Sequence, residues 1–391
     1  MAPRKHRLSY YFKNLEHLYV HWPFCPYKCN FCDFVAIASH ESFMQQYHES
    51  LCKEIQDFKD LYDAQAPLKT LYIGGGTPST YPLPLILDMF AILKETISFD
   101  ESTEVTLEVN PGTVEQGALE VWKSIGINRL SIGVQSLKDT VLQGLNRHQT
   151  KIDVINLLQK TEPLFENVSV DFIVGLPGVS AEEWKAMILQ AMTWPIKHIS
   201  VYFLMVHEKT PLYFKIKQKS VVLPPDDEIV DLYYWTVDVL EQHGFHRYEL
   251  SNFAKKGFES KHNTAYWERK GYKGFGLGAC SFNGQYRFQN NKNLRNYFQA
   301  VLDKNDLIHD VEEITPAQIS MEKIMLGLRQ AQGINIADVI QDFSLPQQQH
   351  FKERADWLEA KGFVRQEAGR LFLTPQGFIL ENEVAVNLFP E

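Results

Sequence analysis

The chain has 391 residues, 45% of them hydrophobic and 22% charged, and a formal net charge of −9. This is the composition of a globular chain of one large and one small domain, and its acidic balance argues against a nucleic-acid partner, which would need a basic surface. No stretch reaches the roughly 18 apolar residues of a membrane span, and the basic start lacks the apolar core of a secretory signal, so a cytoplasmic location with reduced thiols is expected.

Residues 1–17 read as an N-terminal arm. From 18 to 206, strand-like and helix-like segments alternate. Leu18–Phe24, Thr70–Gly74, Glu104–Asn110, Arg129–Gln135, Asn167–Gly175 and His198–Val206 are short, apolar and rich in β-branched or aromatic residues. Helical patterns fall near 41–60, 83–97, 115–124, 151–160 and 181–193. This order predicts an α/β fold of parallel strands with crossover helices. Six units make a partial (β/α)6 barrel rather than the closed eight-stranded form. Polar residues and glycines gather at the C-terminal ends of the strands, the face where such barrels do chemistry.

Residues 207–310 are less regular and rich in aromatics and glycines. The last stretch, 311–391, reads as helices Pro316–Ala331, Ile334–Phe343 and Pro346–Lys361. A hairpin follows, Phe363–Gln366 and Arg370–Leu373, turning at Glu367-Ala368-Gly369. That order resembles a winged helix, an α+β module usually associated with DNA. Here it holds seven Lys or Arg against twelve Asp or Glu. It is therefore read as a structural cap or protein-contact module.

Cys25, Cys29 and Cys32 stand at C-x3-C-x2-C spacing in the run YVHWPFCPYKCNFCDF. Structural zinc usually takes four ligands in paired short spacings, and Cys52 and Cys280 lie far off. Five cysteines in a chain this long are too sparse and odd-numbered for a disulfide framework. Three thiolates so close can hold an iron–sulfur cluster. A cubane of four irons would leave one iron open to a small molecule.

Further candidates sit at successive strand ends. Gly74-Gly75-Gly76-Thr77-Pro78 allows close backbone approach to a ligand. Glu108 in LEVNP offers a carboxylate acceptor, and Gln135 in SIGVQS an amide. Arg147 in LNRHQT can pair with a carboxylate in a bidentate way. Asp171 precedes FIVGLP. Groups on consecutive strand ends, following the cysteine loop, point to one shared ligand.

Together these residues closely resemble the coproporphyrinogen dehydrogenase-like branch of the radical S-adenosylmethionine (SAM) superfamily. The resemblance runs from Tyr19 through the tail and rests on YVHWPFC, GGGTP, LEVNP, SIGVQS, NR, VDFIVGLP and RYELSNFA. It implies a TIM-like partial barrel with a 4Fe–4S cluster on Cys25, Cys29 and Cys32. SAM would chelate the open iron, with Gly75, Gly76 and Thr77 at its amino group. Tyr19 and Phe31 would contact SAM beside the cluster. Glu108, Gln135, Arg147 and Asp171 would bind its ribose and methionine parts. The cluster would give SAM an electron, yielding methionine and a 5′-deoxyadenosyl radical.

Two subfamilies share these motifs. The oxygen-independent coproporphyrinogen III oxidases have a longer N-terminal arm and Gly-Cys after the third cysteine. Here 24 residues precede Cys25, and Asp33-Phe34 follows Cys32. That resembles the HemW subfamily, thought to be heme chaperones delivering heme to respiratory proteins. The run His262-Asn263-Thr264-Ala265-Tyr266-Trp267 resembles its HNxxYW heme motif. The resemblance implies heme as a ligand, with His262 axial to the iron. Heme-acceptor proteins, reached by peripheral contact with membrane-protein clients, would be the partners. Two departures stand out: relatives often carry a cysteine just before this histidine, where Ser260-Lys261 stand, and a histidine in place of Gln149. The alternative is oxidative decarboxylation of coproporphyrinogen III.

Overall fold

The structure, a computed structural model, describes residues 11–62, 67–303 and 307–390. Most of the expected N-terminal arm, residues 1–10, lies outside this range. Six strands form the centre: β1 (His17–Trp22), β2 (Thr70–Gly75), β3 (Glu104–Val109), β4 (Arg129–Gln135), β5 (Asn167–Val174) and β6 (His198–Phe203). They pair in parallel and in sequence order. The crossovers carry α1 (Met44–Asp57), α2 (Leu83–Thr96), α3 (Ala118–Ile125), α4 (Asp139–Gly144), α5 (Lys151–Thr161) and α6 (Ala181–Ala191). Local signals start them where expected: Thr150 with Asp153, and Ser180 with Glu183, form capping boxes for α5 and α6.

Alternation along the strands separates two environments. Leu18, Val20, Trp22, Leu71, Ile73, Leu107, Leu130 and Ile132 have no exposed surface and join the core beneath the helices. The intervening residues are polar: His17, Tyr19 and His21; Thr70 and Tyr72; Thr106 and Glu108; Ser131; Ser169 and Asp171; His198 and Ser200. A parallel sheet covered on both faces is normally apolar throughout. A polar inner face therefore marks a lumen built for chemistry.

The sheet continues beyond the six strands. β7 (His246–Arg247), β8 (Asn252–Ala254), β9 (Tyr272–Phe275), β10 (Cys280–Phe282), β11 (Tyr286–Asn290) and β12 (Ile308–Glu313) bring it to twelve. The order is β12-β11-β10-β9-β1-β2-β3-β4-β5-β6-β8-β7. β9 lies parallel to β1, and β8 antiparallel to β6. The two ends do not meet, and the barrel is partial, as the alternation predicts. Helices α7 (Pro211–Lys217), α8 (Asp226–Gln242), α9 (Lys261–Trp267) and α10 (Leu294–Leu302) fill the same stretch of chain. Its strands were hidden in the sequence because they run to only two to six residues. Gly274 is required by packing, since a Cβ there would collide with the carbonyl of Cys280 on β10.

The tail folds as α11 (Pro316–Leu328), β13 (Ile334–Asn335), α12 (Ile336–Ile340), α13 (Leu345–Ala360), β14 (Val364–Glu367) and β15 (Arg370–Leu373). Two unanticipated helices follow, α14 (Pro375–Ile379) and α15 (Glu381–Asn387). The hairpin turn is two residues rather than three. Glu367 pairs with Arg370, and Ala368 and Gly369 both take positive φ, as a tight hairpin turn demands.

Helix α9 closes the N-terminal mouth of the barrel. The Glu104 carboxylate, at the start of β3, accepts from the amides of Lys261 (3.2 Å) and His262 (3.1 Å), and Ser260 caps the helix. The Thr70 hydroxyl lies between Nδ1 of His17 (2.9 Å) and Nδ1 of His262 (2.7 Å). The His262 ring stacks on Tyr72 at 4.9 Å. The tail packs on the far side of α9: Gln330 donates to the Trp267 carbonyl, and the Arg329 guanidinium sits 5.1 Å from the Trp267 ring centre. Burial pushes the imidazoles down, His262 to about 3 and His17 to about 4 from 6.5. The folded state thus binds fewer protons than the unfolded chain below pH 6.5, and stability falls as pH drops from 6.5 towards 4. Denaturant midpoints measured across that range should fall with acidification. The slope should be shallower in His262→Gln, and an identical slope would show that this histidine does not fold neutral.

Candidate metal centre and ligand site

The cysteine loop crosses the opposite, C-terminal mouth. Cys25 ends a two-residue strand, Phe24–Cys25, that pairs with Ile37–Ala38. The loop is seated by backbone contact with the glycine turn after β2. The Gly76 amide donates to the Trp22 carbonyl (2.7 Å), and that of Thr77 to Phe24 (2.9 Å). A Cβ on Gly76 would stand 2.6 Å from the Pro23 carbonyl oxygen. Gly75 adopts φ +117°, and its Cβ would stand 2.6 Å from the His21 ring. With both amides engaged, Gly75 and Gly76 can offer a ligand only carbonyl acceptors.

The other side of the loop is fastened to the segment after α4. Asn30 donates its backbone amide to Leu145 (2.8 Å) and its side chain to Gly144 (2.9 Å). Asn146 returns a bond to the Lys28 carbonyl (2.9 Å). Asn110, at the end of β3, donates to the Tyr27 hydroxyl (2.8 Å), and Tyr27 stacks on His148. None of the roles of Tyr27, Asn30 or Asn110 was read from the sequence, although Asn110 lies inside the LEVNP run.

Two expected residues touch the thiols directly. The Thr77 hydroxyl donates to Cys25 Sγ at 3.3 Å, and Arg147 Nη1 lies 3.8 Å from Cys29 Sγ. Burial pushes the Cys25 thiol up to about 11 and also raises Cys32. Iron would displace those protons, as metals do from coordinating thiols. Among the described residues, one trio of candidate ligands has all its atoms within 4.8 Å of one another: His48, Cys52 and Asp88. The three loop cysteines are more widely set. That spacing suits a multi-atom cluster better than a single ion, and the donor set fits. In the compact trio, His48 already bonds Tyr81 and Asp88, and burial pushes the Cys52 thiol up to about 12.

The remaining expected residues surround the mouth. Glu108 accepts from the Tyr72 hydroxyl (2.9 Å) and the Gly75 amide (3.0 Å). Burial nevertheless raises it to about 7. Asp171 accepts from Ser200 (2.7 Å) and Ser131 (3.2 Å), and burial raises it too. Gln135 takes φ +63° at an irregularity in the β4–β5 pairing. Arg147 donates from Nη2 to the Gly133 carbonyl (2.6 Å) and from Nε to Gln149 (2.9 Å). A Cβ on Gly133 would stand 2.8 Å from Arg147 and 2.9 Å from Gln135. Gln149, buried, also donates to the Val134 carbonyl (2.7 Å) and so fixes the guanidinium from behind. In the sequence Gln149 carries no local signal of this role and stands out only as a departure from relatives.

Tyr19 points into the lumen, bonds His21 Nδ1 (2.9 Å) and stacks on Tyr72. Phe31 packs sideways with Val141, Leu145, Ile173 and Leu212. His262 stands apart from all of these, at the other mouth. It is 1% exposed, and both ring nitrogens are engaged, Nδ1 by Thr70 and Nε2 by the Tyr266 hydroxyl (2.9 Å). The expectation of an available axial ligand meets a closed site here, and iron could reach this ring only if α9 moved.

Comparison with known proteins follows the same outline. The sequence model of the radical SAM superfamily matches residues 19–191, and that of the HemN C-terminal domain matches 314–380. The heme chaperone HemW of Bacillus subtilis is 32% identical over 95% of this chain and 98% of its own length. The chain belongs to the HemW family of radical SAM proteins. HemW of Synechocystis is 33% identical over 82% of this chain and 79% of its own length. The fold matches that of coproporphyrinogen III oxidase (HemN) from Escherichia coli, with a TM-score of 0.84 and 24% identity over 98% of this chain and 92% of that one. Membership of this superfamily implies a 4Fe–4S cluster and SAM. No helix among the described residues is long and apolar enough to cross a membrane.

The close approach at Gly76 yields a direct test. Gly76→Ala forces a methyl against the Pro23–Phe24 backbone, at a cost of about 1–3 kcal/mol. Chemical denaturation should register that loss, and iron content after reconstitution should fall with it. A variant as stable and iron-loaded as the wild type would show that the loop is not seated on this glycine.

Proposed function

We propose that this protein is a heme chaperone, binding heme and passing it to acceptor proteins, respiratory ones among them, from the cytoplasm. The observation that carries the reading is full-length kinship with HemW proteins in a chain whose three-cysteine loop sits at the mouth of a polar barrel. In this reading residues 18–206 form the radical SAM barrel behind an arm of residues 1–17. Residues 207–310 extend it and carry HNTAYW, and 311–391 form the cap.

Cys25, Cys29 and Cys32 hold the 4Fe–4S cluster. When bound, the cluster supplies an electron to SAM. The glycine turn, with Gly75, Gly76 and Thr77, receives the SAM amino group through carbonyl oxygens. A cationic amino group near Glu108 favours its carboxylate form, offsetting the burial that raises it. Arg147, held by Gln149 and Gly133, meets the SAM carboxylate, and Gln135 and Asp171 meet its polar parts. Tyr19 and Phe31 flank the ligand. His262 enters as an axial ligand to heme only with α9 released from the barrel.

Anaerobic iron and sulfide analysis tests the cluster. Alanine at position 25, 29 or 32 should strip it, and Cys52→Ala should not; a full cluster in Cys29→Ala would sink the assignment. With clusters intact, Arg147→Ala or Asp171→Ala should weaken SAM binding roughly 10- to 150-fold, the loss of a charge-assisted hydrogen bond.

The chaperone reading is decided by giving the reconstituted protein SAM and reductant with either heme or coproporphyrinogen III. Heme should bind with a defined Soret band, and carbon dioxide release from coproporphyrinogen should stay at background. Vigorous decarboxylation without heme binding would establish the oxidase alternative instead.

A further inference from the structure

Away from both mouths, helices α1 and α2 bring three metal-ligating side chains together. His48 and Cys52 stand four residues apart on α1 and so share one face of that helix. Asp88 meets them from α2. His48 Nε2 lies 2.9 Å from Asp88 Oδ2, and Cys52 Sγ lies 3.6 Å from the same nitrogen. One ligand atom from each residue falls within 4.8 Å of the other two. At the bond lengths of zinc, two ligands of one tetrahedral ion stand about 3.3–3.7 Å apart, so small side-chain adjustments let this trio share an ion. Sγ is nearly as close to Nδ1, at 3.7 Å, and must turn about its Cα–Cβ bond to face the ion. The Asp88 side chain, 58% exposed, is free to follow.

The imidazole is already held from behind. Its Nδ1 lies 2.9 Å from the Tyr81 hydroxyl. A proton on Nδ1, donated to that oxygen, leaves the Nε2 lone pair directed at the other members of the trio, which is how second partners orient a ligating histidine. Tyr81 is itself fixed, being buried and stacked on Trp22 at 3.8 Å. A hydrogen bond between two helices needs only His48 and Asp88. The thiol is the soft ligand that turns this pair into a zinc donor set. His48 and Cys52 are both buried, so a bare thiolate is costly there, and a bound cation removes that cost.

We propose that this chain binds a zinc ion between α1 and α2, ligated by His48 Nε2, Cys52 Sγ and the Asp88 carboxylate, with water completing the tetrahedron on the exposed Asp88 side. The ion is separate from the cluster on the cysteine loop and independent of the heme reading. Its role is to pin α1 to α2 behind the seat of that loop. Tyr47, on α1, donates to the His21 carbonyl (2.7 Å). Trp22, stacked on Tyr81, offers the carbonyl that receives the Gly76 amide (2.7 Å). Both contacts meet the end of β1, from which the cysteine loop departs, so the ion braces that strand end from the helix side.

The test is zinc titration of the full-length protein with its cluster reconstituted anaerobically, so that the loop thiols are taken. Competition with a chelating dye gives the affinity, and X-ray absorption at the zinc edge, which is blind to iron, gives the ligands. The wild type should bind one zinc with a single sulfur neighbour among nitrogen and oxygen. Cys52→Ala should lose that sulfur and weaken binding by roughly 100-fold. Tyr81→Phe should keep the sulfur and weaken binding by about 10-fold. Asp88→Asn changes an exposed side chain, leaves the fold intact and should also cost about 10-fold. Cluster iron and circular dichroism check that each variant is folded. Zinc held no more tightly by the wild type than by Cys52→Ala or Asp88→Asn overturns the proposal. So does an edge spectrum with two or three sulfur neighbours, which would place the ion on the cysteine loop.

Discussion

The close seating of the cysteine loop on the glycine turn is the constraint on which the rest of this site depends. Without Cβ atoms at positions 75 and 76, the turn after β2 can touch the backbone of Trp22 to Phe24. That contact fixes Cys25 and brings Thr77 against its sulfur. The far side of the loop is then set by Asn30 and Asn146 against the segment after α4, which also delivers Arg147 to Cys29. Backbone hydrogen bonds, rather than side-chain packing alone, position the thiols. A ligand set on an irregular loop thereby acquires the rigidity of the strands beside it.

The lumen imposes an opposing cost. Glu108, Asp171, Arg129 and three histidines are withdrawn from water inside one barrel, and buried charge is expensive unless paired or hydrogen-bonded. Two devices meet this cost. Carboxylates take hydroxyl and amide donors, as Glu108 does from Tyr72 and Gly75, and Asp171 from Ser131 and Ser200. Histidines surrender their charge, and Arg129 adds to the burial that keeps His198 and His262 neutral. The outer face of the same strands bears the stability through an uninterrupted apolar core. One strand thus serves both functions through its two-residue period.

That period made the barrel legible in the sequence. Strand existence and order followed from short apolar runs between helical patterns, and the site candidates followed from polar residues at their ends. What escaped were relationships that no local pattern carries. Gln149 looks like an unremarkable polar residue until the irregularity in β4 exposes the Gly133 and Val134 carbonyls beneath it. The strands β7 to β12 escaped because they number only two to six residues, so their pairing partners define them rather than their composition. His262 was legible as a motif and illegible as a location, because its burial depends on Glu104, Thr70 and the tail, all distant in sequence.

The location of that motif bears on how the barrel can work. Thr70 and Gly75 bound the same strand, one beside His262 and the other beside the cysteine loop. At about 3.3 Å per residue, the two mouths stand roughly 16 Å apart. A heme held by His262 would lie at the end away from the cluster, behind Tyr72 and the stacked lumen residues. As a plug, HNTAYW has a sufficient physical role. Its helix buries an otherwise open barrel end, satisfies the Glu104 carboxylate and gives the tail a surface to pack on.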